Sequence, residues 1–221
     1  MGFCHTSCDA GVRDPAVVLG NVKTFLDVNP NEVLMIHFEV NDGSLEELYS
    51  AIEDSGLNEY AYADRMDEWP TMQQLIDANK RLLIFAHGDG INESCTTGSC
   101  PEGIFYKFDH FTQTNWNDET CDVKGNDPEV LDFFLMNHWK NSDADLPSQL
   151  NAEEFNTYDV LLNRFRQCGD RIPNVIAVDF WTMGDVPEFV FDVNQKNLKD
   201  GTATGDNTAA EARSQELEEG E

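Results

Sequence analysis

Basic side chains are scarce in this 221-residue sequence: 14 lysines and arginines stand against 42 aspartates and glutamates, a formal net charge of -28. So acidic a surface repels phosphate backbones and anionic headgroups, which excludes nucleic acid as a partner and limits membrane contact to the periphery. No apolar run approaches the ~20 residues of a membrane-spanning helix, and no secretory leader is legible at Met1. No glycine-rich phosphate loop follows any predicted strand, which disfavours nucleotide-binding α/β folds. The cysteines lack the paired C-x-x-C spacing of structural zinc sites, and a C-x-x-C-H haem site is absent because His5 follows Cys4 rather than Cys8.

What remains is an ordinary globular composition, 40% hydrophobic and 25% charged, enough for one domain with a core. Cys4 and Cys8, Cys95 and Cys100, and the distant Cys121 and Cys168 suit three disulfides in an oxidising compartment, with zinc as the competing use. The sequon Asn92-Glu93-Ser94 fits a secreted loop. Cysteines of this kind without a leader predict that the true N-terminus lies upstream of Met1.

Local signals place the elements. Asp14-Pro15 is an N-cap followed by proline at the first helical position, and Val18, Val22, Phe25 and Leu26 continue at helical spacing until Asn29-Pro30. Residues 33–39 read as a buried strand. Ser44 with Glu47 forms a capping box for a helix ended by Gly56, and Thr71 with Gln74 repeats it for a short helix through Asn79. Residues 81–86 are a second buried strand, 105–108 a short aromatic one, 131–137 another and 174–180 the last. Single helices are predicted near 148–168 and 185–198. From about Asp200 the sequence loses its apolar pattern, which predicts a disordered acidic tail over 200–221 and a folded domain over 1–199. Near-continuous apolar strands alternating with helices argue for a parallel sheet covered by helices. An open doubly wound sheet and a β/α barrel both fit.

Polar residues stand at the strand ends: Glu39, Asn137 and Asp179, with His87 after Ala86. In a β/α barrel the carboxyl ends of the strands are where chemistry is assembled. Strand alternation puts His37 and Glu39 on one face, and Ala177 and Asp179 on one face. A strand-end carboxylate can also merely cap the next helix, and His37 reads as a core histidine. His110 and His138 read as surface or helix-packing residues. His5, between two cysteines and just before a helix start, has the surroundings of a rigid acid or base.

The segment Phe3-Cys4-His5-Thr6-Ser7-Cys8 resembles the L-C-H segment of the phosphatidylinositol-specific phospholipase C X-domain superfamily, in its secreted, disulfide-bearing branch. The resemblance continues in order through residues 25–33, Ile36-His37-Phe38-Glu39, Trp69-Pro70-Thr71-Met72, residues 80–85, and residues 173–181. Together these segments cover residues 3–195.

The resemblance implies a distorted TIM-type β/α barrel of the phospholipase-C-like phosphodiesterase kind, here incomplete and lacking about its first two strands. It implies hydrolysis of a phosphoric diester, with a phospholipid headgroup of the phosphatidylinositol kind as substrate. His5 matches the general acid, and Asp179 the acidic residue that orients a catalytic histidine. Glu39 matches a strand-end glutamate that ligates calcium in the signalling enzymes, and His87 and Asn137 are candidate substrate contacts. The cation role falls to calcium or, in a metal-free site, to an arginine. The family's first histidine and its arginine-bearing strand have no counterpart here, so this chain is expected to be truncated. A catalytically dead secreted binding domain is the alternative, and glycerophosphodiester or sphingomyelinase-D-type chemistry a third. The expected bridges are Cys4–Cys8, Cys95–Cys100 and Cys121–Cys168.

Overall fold

The structure, a computed structural model, describes residues 2–4, 8, 11–41, 43–64, 68–89, 91, 100–116, 120–124, 131–142, 146–169 and 171–200. The chain forms two compact units, Met1–Asp109 and His110–Glu221.

In the first unit, helix α1 (Pro15–Val28) starts where the sequence placed it, with the Asp14 carboxylate accepting from the Ala16 amide. Strand β1 (Leu34–Glu39) leads to α2 (Leu45–Ser55), whose Ser44/Glu47 capping box satisfies two amides of the first turn. Gly56 closes α2 in the left-handed region at φ 74°. Helix α3 (Met72–Asp77) uses the Thr71/Gln74 box and stops short of Asn79, itself at φ 54°. Strands β2 (Leu82–His87) and β3 (Ile104–Tyr106) complete a parallel sheet in the order β1-β2-β3. A helical turn, α4 (Lys107–His110), follows directly.

One face of this sheet is apolar: Leu34, Ile36, Phe38, Leu82, Ile84, Ala86 and Ile104 pack with Leu19 and Leu26 of α1 and Leu45, Leu48 and Ile52 of α2. Arg81 is buried before β2. Its guanidinium donates to the carbonyls of Leu26 and Asn29, acceptors that α1 leaves open at its C-terminus, and to that of Glu32 in the loop beyond.

The second unit holds β4 (Phe111–Thr114), β5 (Val123–Lys124), β6 (Phe133–Asn137) and β7 (Val175–Ala177) in the order β5-β4-β6-β7, with β5 antiparallel and the rest parallel. Helices α5 (Gln149–Phe155), α6 (Tyr158–Gln167) and α7 (Val186–Asp200) follow. Met136, Ile176 and Val178 pack with Leu161, Leu162 and Phe165 of α6 and Phe189 of α7.

The α/β class with parallel strands is therefore as expected, but among the described residues the strands form two separate sheets and no closed barrel. Two local expectations are corrected. The helix near 148–168 is two helices: Asn156 hydrogen-bonds the Asp179 carbonyl, and the Asp185 carboxylate accepts from the Tyr158 amide to start α6 afresh. The aromatic strand near 105–108 ends at Tyr106, and β4, which no local signal marked, follows the turn.

Disulfides join Cys4 to Cys8 and Cys121 to Cys168. Cys100 is also disulfide-bonded, while Cys95 and the sequon lie outside the described residues. So does the expected tail beyond Asp200, which itself ends α7.

Candidate functional site

The face of the first sheet opposite the helices has a different chemistry. Register pairs His37 with Phe85 and Phe85 with Phe105, and these form one layer across the three strands. Phe85 and Phe105 are buried, and Trp69 lies 5.8 and 5.1 Å from their ring centres. The His37 ring meets Phe85 edge-on at 5.5 Å. Aromatic stacking of this density makes a stiff floor.

One layer nearer the carboxyl ends, Glu39 pairs with His87. Lys107 opens the helical turn α4 directly after β3, and its charge acts on His37, His87 and Glu39. Beside the aromatic layer, β1 and β2 thus present a carboxylate and an imidazole, with the Lys107 ammonium acting on both from the start of α4. Gly88 lets this edge close. At φ 126° its Cα approaches Val40 so tightly that a Cβ would lie 2.3 Å from the Val40 carbonyl oxygen, and the Val40 amide donates to the His87 carbonyl.

The electrostatics of the layer follow from burial. His37 is held neutral, its pKa lowered to about 4 by burial first and then by the charges of Lys107 and His87. His87 is lowered for the same reasons, burial first and Lys107 second, against the opposing pull of Glu39. Its buried Nδ1 has no hydrogen-bond partner among the described residues, and Phe108 packs edge-on against the ring at 5.2 Å. Lys107 is buried, which lowers its pKa, while Glu39 favours its charged form. Glu39 is exposed and accepts from the Asn41 carboxamide at 3.3 Å. Partly buried, neutral imidazoles thus lie within electrostatic reach of a buried cation.

In the second unit Asn137 ends β6, buried, with its carboxamide donating to the Thr114 carbonyl at 2.8 Å. Asp179 lies two residues beyond β7, partly buried, its carbonyl held by Asn156. The loops after β4, β6 and β7 also carry large aromatic side chains: Trp116 stacks on Trp139 at 6.4 Å, and Phe180 and Trp181 are exposed.

The structure thus brings Glu39 and His87 together and adds His37, which sequence reading left in the core. It also adds Lys107, which that reading missed. No signal in the sequence marked Lys107, which opens a helical turn where a strand was predicted through residue 108. His5 lies outside the described residues. His110 bonds Asp132 at 2.6 Å, and His138 is fully buried against Phe155 of α5, a helix-packing residue as expected.

A family model described as PI-PLC X 1 matches residues 1–194. The chain belongs to the PI-PLC X domain family. A PI-PLC X domain-containing protein 1 of Arthroderma benhamiae is 29% identical over 213 residues, covering 84% of this chain and 67% of the relative. An uncharacterized secreted protein of the same fungus is 23% identical, over 88% of this chain and 49% of that protein. A PI-PLC X domain-containing protein of Arabidopsis thaliana is 24% identical, over 77% of this chain and 42% of its own length. The chain thus spans about half the length of two of these relatives. No solved structure gives a significant match.

For this PI-PLC X domain, the calcium implied at Glu39 can be tested against the donor set. A hard cation takes six to eight oxygen ligands, several of them carboxylates. Among the described residues no group of three or more histidine, cysteine, aspartate or glutamate side chains is placed to hold a metal. The neighbours of Glu39 are instead an imidazole and an ammonium. Among the described residues this arrangement does not fit a calcium site.

Proposed function

We propose that this PI-PLC X domain is the catalytic part of an extracellular phosphoric diester hydrolase acting on a phospholipid headgroup of the phosphatidylinositol kind. The family match over residues 1–194 carries the reading. The polar layer of Glu39 and His87 at the strand ends supports it, since headgroup recognition needs polar groups converging on a stiff floor. The disulfides, and the likeness to a protein named as secreted, support the extracellular placement. An incomplete barrel of the family kind belongs to the same proposal.

In the proposed reaction a neighbouring inositol hydroxyl attacks phosphorus in line and loses its proton to a base. The new P–O bond closes a cyclic phosphate, and the P–O bond to diacylglycerol breaks. His5 protonates the departing oxygen as general acid, and Glu39 and His87 contact the headgroup. In the second unit Asn137 is assigned headgroup contact and Asp179 the orienting of a histidine.

Phosphatidylinositol in phosphatidylcholine vesicles, with released inositol phosphates quantified, tests this. A longer chain that supplies the family's first histidine and arginine should release the cyclic phosphate, and His5→Ala in it should reduce turnover by ~10²–10⁴-fold, the usual share of one acid–base group. Unchanged turnover in His5→Ala removes the acid assignment. No cleavage of any phosphodiester by that longer chain overturns the hydrolase reading.

A further inference from the structure

We infer that Arg164 and the Cys121–Cys168 disulfide form a redox-sensitive clamp that positions the Asn137 carboxamide at the strand end of the second unit. The inference rests on the phosphodiesterase reading only for what Asn137 touches. It adds a positioning residue, Arg164, and a dependence on the state of one bridge.

Helix α6 supplies both points of the clamp. Arg164 lies four residues before Cys168, the C-terminal cap, so the two share a helix face. They meet consecutive residues of one segment: the Arg164 Nε donates to the Thr120 carbonyl at 3.2 Å, and Cys168 is bonded to Cys121. Beyond these points the segment is joined to β4 through the Asn115 amide, which donates to the Asp122 carbonyl, and through the two residues of β5. An edge strand that short is marginal alone. Covalent linkage of Cys121 to the same helix fixes the adjoining Thr120 carbonyl against the guanidinium.

The guanidinium carries this constraint inward. Arg164 is only 1% exposed. Its Nη2 donates to the Asn115 carbonyl at 2.9 Å and to the Thr114 hydroxyl at 3.4 Å. A planar fork seated on both Thr120 and Asn115 keeps one orientation, which sets where it meets Thr114. That hydroxyl accepts from the Asn137 amide at 3.0 Å, and the Thr114 carbonyl accepts from the Asn137 carboxamide at 2.8 Å. A carbonyl only accepts, so Nδ2 is the atom turned to Thr114 and Oδ1 is kept as the acceptor of the strand end.

Reduction undoes the outer point. Cys121 and Cys168 are both partly exposed, within reach of a dithiol reductant. One reductant thiolate attacks a bridge sulfur, the S–S bond breaks and a mixed disulfide forms. The second reductant thiol then closes the reductant's own disulfide, so two electrons and two protons pass to the protein and both cysteines become thiols. With Cys121 released, the guanidinium loses its fixed seat at Thr120, and the Thr114–Asn137 contacts shift with it.

The test follows the Asn137 carboxamide in the full nitrogen-labelled chain by NMR, its signals assigned by their loss in Asn137→Ser. In Cys121→Ser/Cys168→Ser the two Nδ2 proton signals should move toward those of a free carboxamide, while signals of α1 in the other unit stay in place. Dithiothreitol should reproduce the shift in the unaltered chain and add nothing to it in the double variant, which separates this bridge from Cys4–Cys8. Arg164→Lys keeps the charge but not the fork, and should give the shift with the bridge intact by mass. Unmoved carboxamide signals in a natively folded double variant overturn the clamp, and so does a shift there that a folded Arg164→Lys lacks. If Arg164→Lys does not fold, the double variant decides. If the double variant does not fold, stepwise reduction of the unaltered chain decides: a carboxamide shift that appears only with the loss of near-ultraviolet dichroism overturns the clamp as well. A clamp found where the longer chain cleaves no diester stands without the hydrolase reading. Diester cleavage with a carboxamide indifferent to the bridge keeps that reading and removes the clamp.

Discussion

His138 makes the fold sensitive to acid in a way that can be separated from the protein's large carboxylate background. Its ring is fully buried and stacked on Phe155, 4.4 Å between centres at 16°. Nε2 lies 2.8 Å from the Phe155 carbonyl oxygen, so that nitrogen carries the proton and donates. Burial, aided by the charge of Arg164 and opposed by that carbonyl, lowers the pKa from 6.5 to about 4. A histidine depressed in the folded state is neutral there, while the unfolded chain still binds the proton between pH 6.5 and 4. Its contribution is therefore fully present above pH 6.5 and is lost as pH falls toward 4. Between pH 7 and pH 4.5 the loss amounts to roughly 2.5 kcal/mol, at 1.36 kcal/mol per pKa unit.

His138→Phe removes the titration but leaves the Phe155 carbonyl without its donor, a cost of ~1–3 kcal/mol at pH 7. Urea unfolding of both chains at the two pH values should show the variant less stable at pH 7, with the gap closing by about 2.5 kcal/mol at pH 4.5. Background carboxylates are the same in both chains, so their titration cancels in the difference. An equal gap at both pH values would refute the argument.

Two other measurements probe the scaffold. The Cys121–Cys168 bridge closes a loop of sequence separation 47, for which chain entropy gives ~4 kcal/mol; a Cys121→Ser/Cys168→Ser double variant should lose most of this in urea, and a loss under ~1 kcal/mol would show that the loop is restrained by other means. Gly88→Ala forces a Cβ to 2.3 Å from the Val40 oxygen at a φ of 126°, so a loss of at least ~3 kcal/mol and a visibly lower Tm by circular dichroism are expected. An unchanged Tm would mean that the edge beside His87 moves freely.

Much of the local structure is legible because its causes are local. The boxes at Ser44 and Thr71, the Asp14 cap and the Gly56 stop act within four residues, and each helix starts or ends where they say. Alternation along residues 33–39 likewise places Glu39 and His37 on one face without any knowledge of neighbouring strands. Where the cause is distant, the sequence is silent. The break between α5 and α6 depends on Asp185, 27 residues from the Tyr158 amide it holds. Strand β4 is defined by pairing with β6 rather than by its own composition.

Composition and motif order by themselves determined the α/β class, the family and the strand-end position of Glu39, because side-chain period and capping are properties of contiguous residues. Only the tertiary structure decided that Lys107 lies near that layer, since the parallel pairing of β3 with β2 brings the start of α4 beside it. It also decided which histidines are buried neutral. Desolvation comes from everything packed around a ring, and no stretch of sequence contains that.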